Sequence, residues 1–167
     1  MKIYLATDHT GFEIKNYVKE RLQIDGYDVE DCGAYDYNAD DDYTDFIKVA
    51  AGKVSQNPED RGFIFGGSGQ AENMLANKYK NVRSALFYSN VPPIGEADIS
   101  GRKSDNPYEM VKLTRLHNDA NMLSFGIRFL EKETIYEAIK MFLNTDFSHD
   151  ERHIRRIEKI KNIEESI

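Results

Sequence analysis

The stretch Phe63-Ile64-Phe65-Gly66-Gly67-Ser68-Gly69-Gln70-Ala71-Glu72 decides how this chain folds. Its apolar start reads as a short buried strand, and the glycines end that strand abruptly. Residues Ala71 to Lys78 then read as a short helix. A strand that runs straight into a helix over glycines is the junction expected of a parallel α/β sheet. Glycine lets the backbone approach a ligand closely, and the first turn of the following helix carries unpaired N–H groups. The combination makes an anion site, either for a phosphate or for an oxyanion that exists only during a reaction. A tight strand–helix turn without a ligand accounts for the glycines equally well.

The pattern extends in both directions from this junction. Ile3 to Ala6 reads as a strand, and Ile14, Tyr17, Val18 and Leu22 follow helical spacing until Gly26. Val29 to Cys32 reads as a weaker strand. Phe46, Ile47, Ala50 and Val54 mark a helix that closes before Pro58. Val82 to Phe87 and Met122 to Phe125 read as strands, and Ile135, Ala138, Ile139 and Phe142 as a helix. Alternation of this kind predicts a five-stranded parallel sheet covered on both faces, with its site at the carboxyl ends of the strands. The chain of 167 residues fits a single domain, 1–167. Two segments depart from the alternation. Residues 88–107 contain Pro92, Pro93, Gly95, Gly101 and Pro107 and read as a long loop, a length usually tied to function or disorder. From about Asp150 to 167, Ile154, Ile157, Ile160 and Ile163 recur every third residue, which predicts an amphipathic C-terminal helix suited to a partner subunit.

Composition narrows the classes of function. Hydrophobic residues make up 40% and charged residues 31%, as in ordinary folded protein. A net charge of -7 argues against nonspecific nucleic-acid binding, which needs a basic footprint. The one cysteine, Cys32, excludes an internal disulfide. No run approaches the length of a membrane span, and the start lacks the pattern of a signal peptide, so a cytoplasmic protein without a membrane partner is expected.

Polar residues gather in three places: Thr7-Asp8-His9 with Gly11, the glycine turn through Glu72, and His117-Asn118 before one strand with Arg128 after it. The sequence reading has all of them converge at one edge of the sheet. Glu72 falls in the first turn after the glycines, where a carboxylate either caps the helix or acts as a base beside the donors that stabilise the charge it creates. Ser68 is placed to bond to the base or to a substrate. From Gly67 the sequence reads G-x-G-x-x-E, so the third glycine of a dinucleotide fingerprint is missing. No acid follows about twenty positions on, and there is no P-loop lysine. Arg152 and Arg156 are spaced to share a helix face and, with Arg128, to form a cationic clamp; a solvated face is the commoner fate of such arginines.

Metal sites are not expected. His149-Asp150-Glu151-Arg152-His153 has its glutamate one place out of register for a zincin helix. Asp36, Asn38 and Asp40 begin like a calcium loop, but Asp41 stands where glycine is needed and Ile47 where the terminal glutamate belongs. These residues read as solvated loop positions, and Cys32 as a small buried residue.

Taken together, these stations resemble the ribose-5-phosphate isomerase B family, in the superfamily that includes allose-6-phosphate and galactose-6-phosphate isomerases. The resemblance is carried by Ala6-Thr7-Asp8-His9-Thr10-Gly11, Asp31-Cys32-Gly33-Ala34, Asp41-Asp42-Tyr43, Gly66 to Glu72, Ala76-Asn77-Lys78, Arg83-Ser84-Ala85-Leu86, His117-Asn118, Gly126-Ile127-Arg128 and Arg152-His153-Ile154-Arg155-Arg156. It implies a Rossmann-like three-layer α/β/α sandwich and an aldose–ketose isomerase without metal or cofactor. It also implies a homodimer, with a tetramer as the larger alternative, whose sites use residues of both subunits. One branch of the family uses a cysteine base at the position of Gly66, and the other a glutamate at that of Glu72, which this sequence matches.

By the same resemblance, Asp8 and His117 open the sugar ring, and His9, Arg128, Arg152 and Arg156 hold the phosphate. Tyr43 lines the pocket, Asn118 binds hydroxyls or the oxyanion, and the backbone N–H groups of Gly67, Ser68, Gly69, Gln70 and Ala71 stabilise the enediolate. Family members usually carry glycine at Ala71, and their connection equivalent to 88–107 is shorter. The implied substrate is ribose 5-phosphate. A hexose 6-phosphate of allose or galactose type, or sugar-phosphate binding without turnover, are the alternatives.

Overall fold

The computed structural model describes residues 1–166, so Ile167 of the expected C-terminal helix lies outside the described residues. The chain divides into two compact units: Met1–Tyr88 with Ala120–Lys132, and Ser89–Asp119 with the residues from Glu133 on.

The first unit contains the sheet. Strands β1 (Lys2–Thr7), β2 (Asp28–Asp31), β3 (Arg61–Gly66), β4 (Ser84–Phe87) and β5 (Met122–Gly126) are all parallel, in the order β2-β1-β3-β5-β4. The predicted parallel α/β sandwich is therefore the observed one. Helix α1 (Phe12–Ile24) links β1 to β2. Helices α2 (Tyr43–Gln56) and α3 (Gln70–Ala76) pack on each other, and right-handed crossovers place them on the face opposite α1. Successive strand residues point to opposite faces, and here both sets are buried. Tyr4, Ala6, Ile64 and Met122 form a core with Ile47, Ala50, Ala51 and Val54 of α2. Ile3, Leu5, Phe63, Phe65 and Phe125 fill the other face, and Phe65 stacks on Phe125 at 5.5 Å between ring centres. The continuous apolar strand reading is the signature of such two-sided burial.

Helix α1 buries Lys15 along with Val18 and Leu22. The Lys15 ammonium is fully enclosed and bonds Asp31 Oδ1 at 2.5 Å and the Ala34 carbonyl. Asp31 also accepts the Gly33 N–H at 3.0 Å and the Lys19 ammonium at 3.0 Å. Burial pushes the Lys15 pKa down, and the Asp31 carboxylate opposes that shift. This cluster fastens the carboxyl end of β2 to the helix beneath it.

The second unit holds α4 (Glu109–Asn118), most of α5 (Lys132–Leu143) and α6 (Glu151–Ser166). Val111, Ile135, Ala138, Ile139 and Phe142 are buried. Arg115, 4% exposed, lies over the Phe142 ring, donates from Nε to the Thr145 carbonyl at 3.2 Å and pairs with Asp119 at 2.8 Å. Residues 88–107 form the expected loop, without regular elements. The loop is nevertheless organised. Arg102 bonds Asp98 at 2.8 Å and the buried Glu109 at 2.5 Å, and Ser104 Oγ donates to Glu109 at 2.7 Å. On α6, Ile154, Ile160 and Ile163 are exposed, so its apolar stripe is uncovered within one copy. Among the described residues no helix is long and apolar enough to cross a membrane.

Removing one member of a buried ion pair leaves the other charge stranded. Asp31→Ala should therefore cost about 3–5 kcal/mol of stability, read as a lower urea midpoint with an unchanged slope.

Candidate active site

In a parallel sheet the loops after the strands share one edge. The first unit brings Asp8 and His9 after β1, Gly67 to Glu72 after β3, and Arg128 after β5 to that edge. The Thr7 hydroxyl donates to the Phe65 carbonyl at 2.9 Å and ties the ends of β1 and β3 together. The turn itself is pinned at its carbonyls. Gly67 O accepts the Arg128 N–H at 3.1 Å, and Gly69 O accepts the Ser124 hydroxyl at 2.7 Å and the Asn73 N–H at 3.1 Å. Gly69 has φ +70° and lies against the Phe125 backbone, so only glycine suits it. The carbonyls of the turn are thus engaged within the fold, and a helix start leaves its first N–H groups without intrahelical partners. Ser68 Oγ accepts the Gln70 N–H at 3.4 Å, and the Ala71 N–H precedes the first intrahelical bond.

Glu72 stands in the first turn of α3 and is only 5% exposed. Burial pushes its carboxyl pKa above the ordinary glutamate value; its own backbone N–H opposes this, and the nearby Asp8 charge adds to it. A helix-capping glutamate would show the reverse, a carboxyl held low by the N–H groups it caps. The carboxyl occupies the space where a side chain on Gly66 would be.

His9 is held by Asp41. Asp41 Oδ1 accepts the His9 backbone N–H at 3.0 Å and lies 2.6 Å from its Nδ1. This bond, the largest effect, raises the His9 pKa and favours the imidazolium, although burial works against it. The side chain of Asp41 is 8% exposed, which corrects its reading as a solvated loop residue. Nothing in the local sequence distinguished it from Asp40 and Asp42. Ligand atoms of Asp8, His9 and Asp41 lie within 4.8 Å of one another, and the 2.6 Å bond joins His9 Nδ1 to Asp41. Asp36, Asn38 and Asp40 are exposed, as expected. His9 and Arg128 also border a cleft of about 400 Å³, together with Thr10 and Tyr37. Arg128 lies against Gly67, where an added Cβ would come within 2.9 Å of the guanidinium carbon. Tyr43 opens α2 and packs against the core. Cys32 is buried, and burial drives its thiol pKa up to about 11, which removes it as a nucleophile.

His117 and Asn118 belong to the second unit and precede β5 in the chain. They end α4 and lead through Ala120 and Asn121 into the start of β5, which is the amino edge. Asn121 is fixed there, accepting the Arg83 N–H at 2.8 Å and donating to the Asn81 carbonyl at 2.7 Å. Within the second unit, His117 stacks on His153 at 4.4 Å between ring centres. Burial lowers the His117 pKa, with the His153 and Arg152 charges adding to the effect. His153 is 2% exposed, so it is not the solvated residue expected, whereas His149 is exposed. Arg152 Nε donates to His153 Nε2 at 3.1 Å, and the exposed Arg156 lies one turn further along α6.

The Glu72 geometry is measurable directly. Its carboxyl should titrate above 4.5 by NMR, and Asp8→Asn should lower the midpoint. Because the folded-state value is the higher one, the folded protein binds this proton more tightly than the unfolded chain. Glu72 therefore lowers stability as the pH rises through its folded value. Gly66→Ala should displace the carboxyl and cost about 1–3 kcal/mol by denaturation.

Comparison with known proteins agrees with this geometry. A family model described as Ribose/Galactose Isomerase matches residues 3–92 and 105–160, leaving 93–104 of the long loop outside it. Ribose-5-phosphate isomerase B of Mycolicibacterium paratuberculosis is 35% identical, over 98% of this chain and 92% of that protein. A structure of ribose-5-phosphate isomerase B from Mycoplasma genitalium with bound ribulose-5-phosphate superposes with TM-score 0.85 at 32% identity, covering 99% of this chain and 97% of that one. Type B ribose 5-phosphate isomerase from Trypanosoma cruzi superposes with TM-score 0.84 at 32% identity, over 100% of both chains. The chain belongs to the ribose/galactose isomerase family and is an aldose–ketose isomerase.

Proposed function

We propose that the protein interconverts ribose 5-phosphate and ribulose 5-phosphate by proton transfer through an enediolate, with Glu72 as the base. The observation that carries this reading is a buried carboxyl of raised pKa in the first turn of a helix that begins at the glycine turn. A carboxylate poised in this way is the form of base suited to abstraction next to a carbonyl. Asp8 and His117 open the furanose ring. Glu72 then takes the C2 proton, and the electron pair moves into the C1–C2 bond, leaving negative charge on the carbonyl oxygen. The N–H groups from Gly67 to Ala71 stabilise that oxygen. Ser68 supports the base, and return of the proton to C1, with the C2 hydroxyl proton passing to the C1 oxygen, gives the ketose. The sequence moves two protons, one between the carbons and one between their oxygens, and uses neither metal nor cofactor.

His9, held by Asp41, and Arg128 bind the phosphate from within the first unit. Arg152 and Arg156 complete the clamp, and remote phosphate binding orients the reacting carbons. Tyr43 and Asn118 contact the sugar. We propose a homodimer in which His117, Asn118, Arg152 and Arg156 of one copy serve the site of the other. The position of His117 and Asn118 before β5 and the uncovered isoleucine stripe of α6 support it. Both units act as one isomerase domain, and a phosphorylated sugar places the enzyme in the cytoplasm. A hexose 6-phosphate is the second reading, because residues 93–104 fall outside the family match.

Glu72→Gln keeps the shape and removes the base. It should lower kcat by about a hundredfold or more and abolish entry of solvent deuterium at C2. The same variant should be more stable than the parent at neutral pH, since a buried charge is removed. Near-normal turnover by the variant would refute the mechanism. Faster turnover of a hexose 6-phosphate by the parent would favour the second reading.

A further inference from the structure

His153 is the most enclosed polar side chain of α6, and the chemistry above does not use it. Its ring has a partner at each nitrogen. The Arg152 Nε–H points at Nε2 at 3.1 Å, and Nδ1 lies 2.9 Å from Ser148 Oγ. A guanidinium can only donate, so Nε2 must accept. The proton of the neutral ring therefore sits on Nδ1 and is donated to Ser148. Ser148 is fixed in turn, because its N–H donates to the Leu116 carbonyl at 3.1 Å, one residue before His117. One face of the imidazole meets His117 at 4.4 Å between ring centres, tilted by 38°. Asp150 Oδ2 stands 3.6 Å from Nδ1.

We infer that His153 is a positioning residue, which fixes the Arg152 guanidinium by accepting its Nε–H and buttresses the His117 ring. An arginine carries several rotatable bonds, and anchoring it at Nε leaves its terminal nitrogens free to form the planar fork that a phosphate accepts. Adjacent residues on a helix normally diverge, so a bond from Arg152 to the ring of its own neighbour diverts the guanidinium from the course it would take into solvent. This inference rests on the assignment of Arg152 to phosphate binding. A purely structural His153 would fasten α6 without influencing substrate affinity.

The test has two parts. Nitrogen-15 NMR of the parent protein should show His153 neutral, protonated on Nδ1, with Nε2 bare; a proton on Nε2 overturns the proposal without any variant. His153→Phe keeps the ring against His117 but has no acceptor. It should raise KM for ribose 5-phosphate about tenfold while kcat changes much less, and weaken inhibition by inorganic phosphate by a similar factor. His153→Gln, whose amide can both accept from Arg152 and donate to Ser148, should restore KM toward the parent value. In an Arg152→Lys background, which lacks the Nε–H, adding His153→Phe should change KM little. An unchanged KM in His153→Phe, or the same rise in both backgrounds, overturns the inference. If the parent itself did not isomerise ribose 5-phosphate, the functional reading would fail. The tautomer and the inorganic-phosphate affinities would still report on His153.

Discussion

A carboxylate is kept from water at Glu72, and the rest of the site is arranged around that constraint. The carboxyl fits because Gly66 presents no side chain, and it stays because α3 begins immediately after the turn. Burial raises its affinity for a proton, the property that the proposed base requires. The turn can hold this posture because its carbonyls are tied to Arg128, Ser124 and Asn73. Two of these bonds reach across to β5 and its following turn, so strand pairing helps to set the course of the glycine turn.

Much of this was legible in the sequence. The apolar strands, the glycine junction and the helical spacings of α1 and α2 gave the sheet, because two-sided burial leaves nearly continuous hydrophobic runs. Element edges shifted by a residue or two: β4 begins at Ser84 rather than Val82, and α3 ends at Ala76 rather than Lys78. Asp8, His9, Gly67, Glu72 and Arg128 came together as read, since each follows a strand. His117 and Asn118 precede a strand instead, and composition does not reveal whether a polar residue enters a strand or leaves it until the topology is traced. Asp41 and His153 were passed over for a related reason. Their importance lies in one partner each, His9 and Arg152, and the first of these is remote in sequence.

Charged groups in the second unit show how an acidic protein can still bind an anion. Arg102 is engaged by Asp98 and Glu109, and Arg115 by Asp119 and the Thr145 carbonyl. These cations hold the loop and α4 in place. Arg152 is different, because its Nε–H meets an imidazole nitrogen rather than a carboxylate. The sign of the whole chain therefore says little about the potential at a given guanidinium. What matters is whether the residue beside it carries a negative charge.

The space shared by Gly66 and Glu72 has an evolutionary consequence. The cysteine base of the other branch of the family belongs at position 66, and its Cβ would lie where the Glu72 carboxyl now is. The two bases are rival tenants of one volume, so a lineage cannot hold both while it exchanges them. Cysteine gained first meets an occupied site, and under the proposed mechanism glutamate lost first leaves none to abstract the proton. A passage between the branches must cross a nearly inactive intermediate or change both positions together, which gives a steric reason for the family to fall into two kinds.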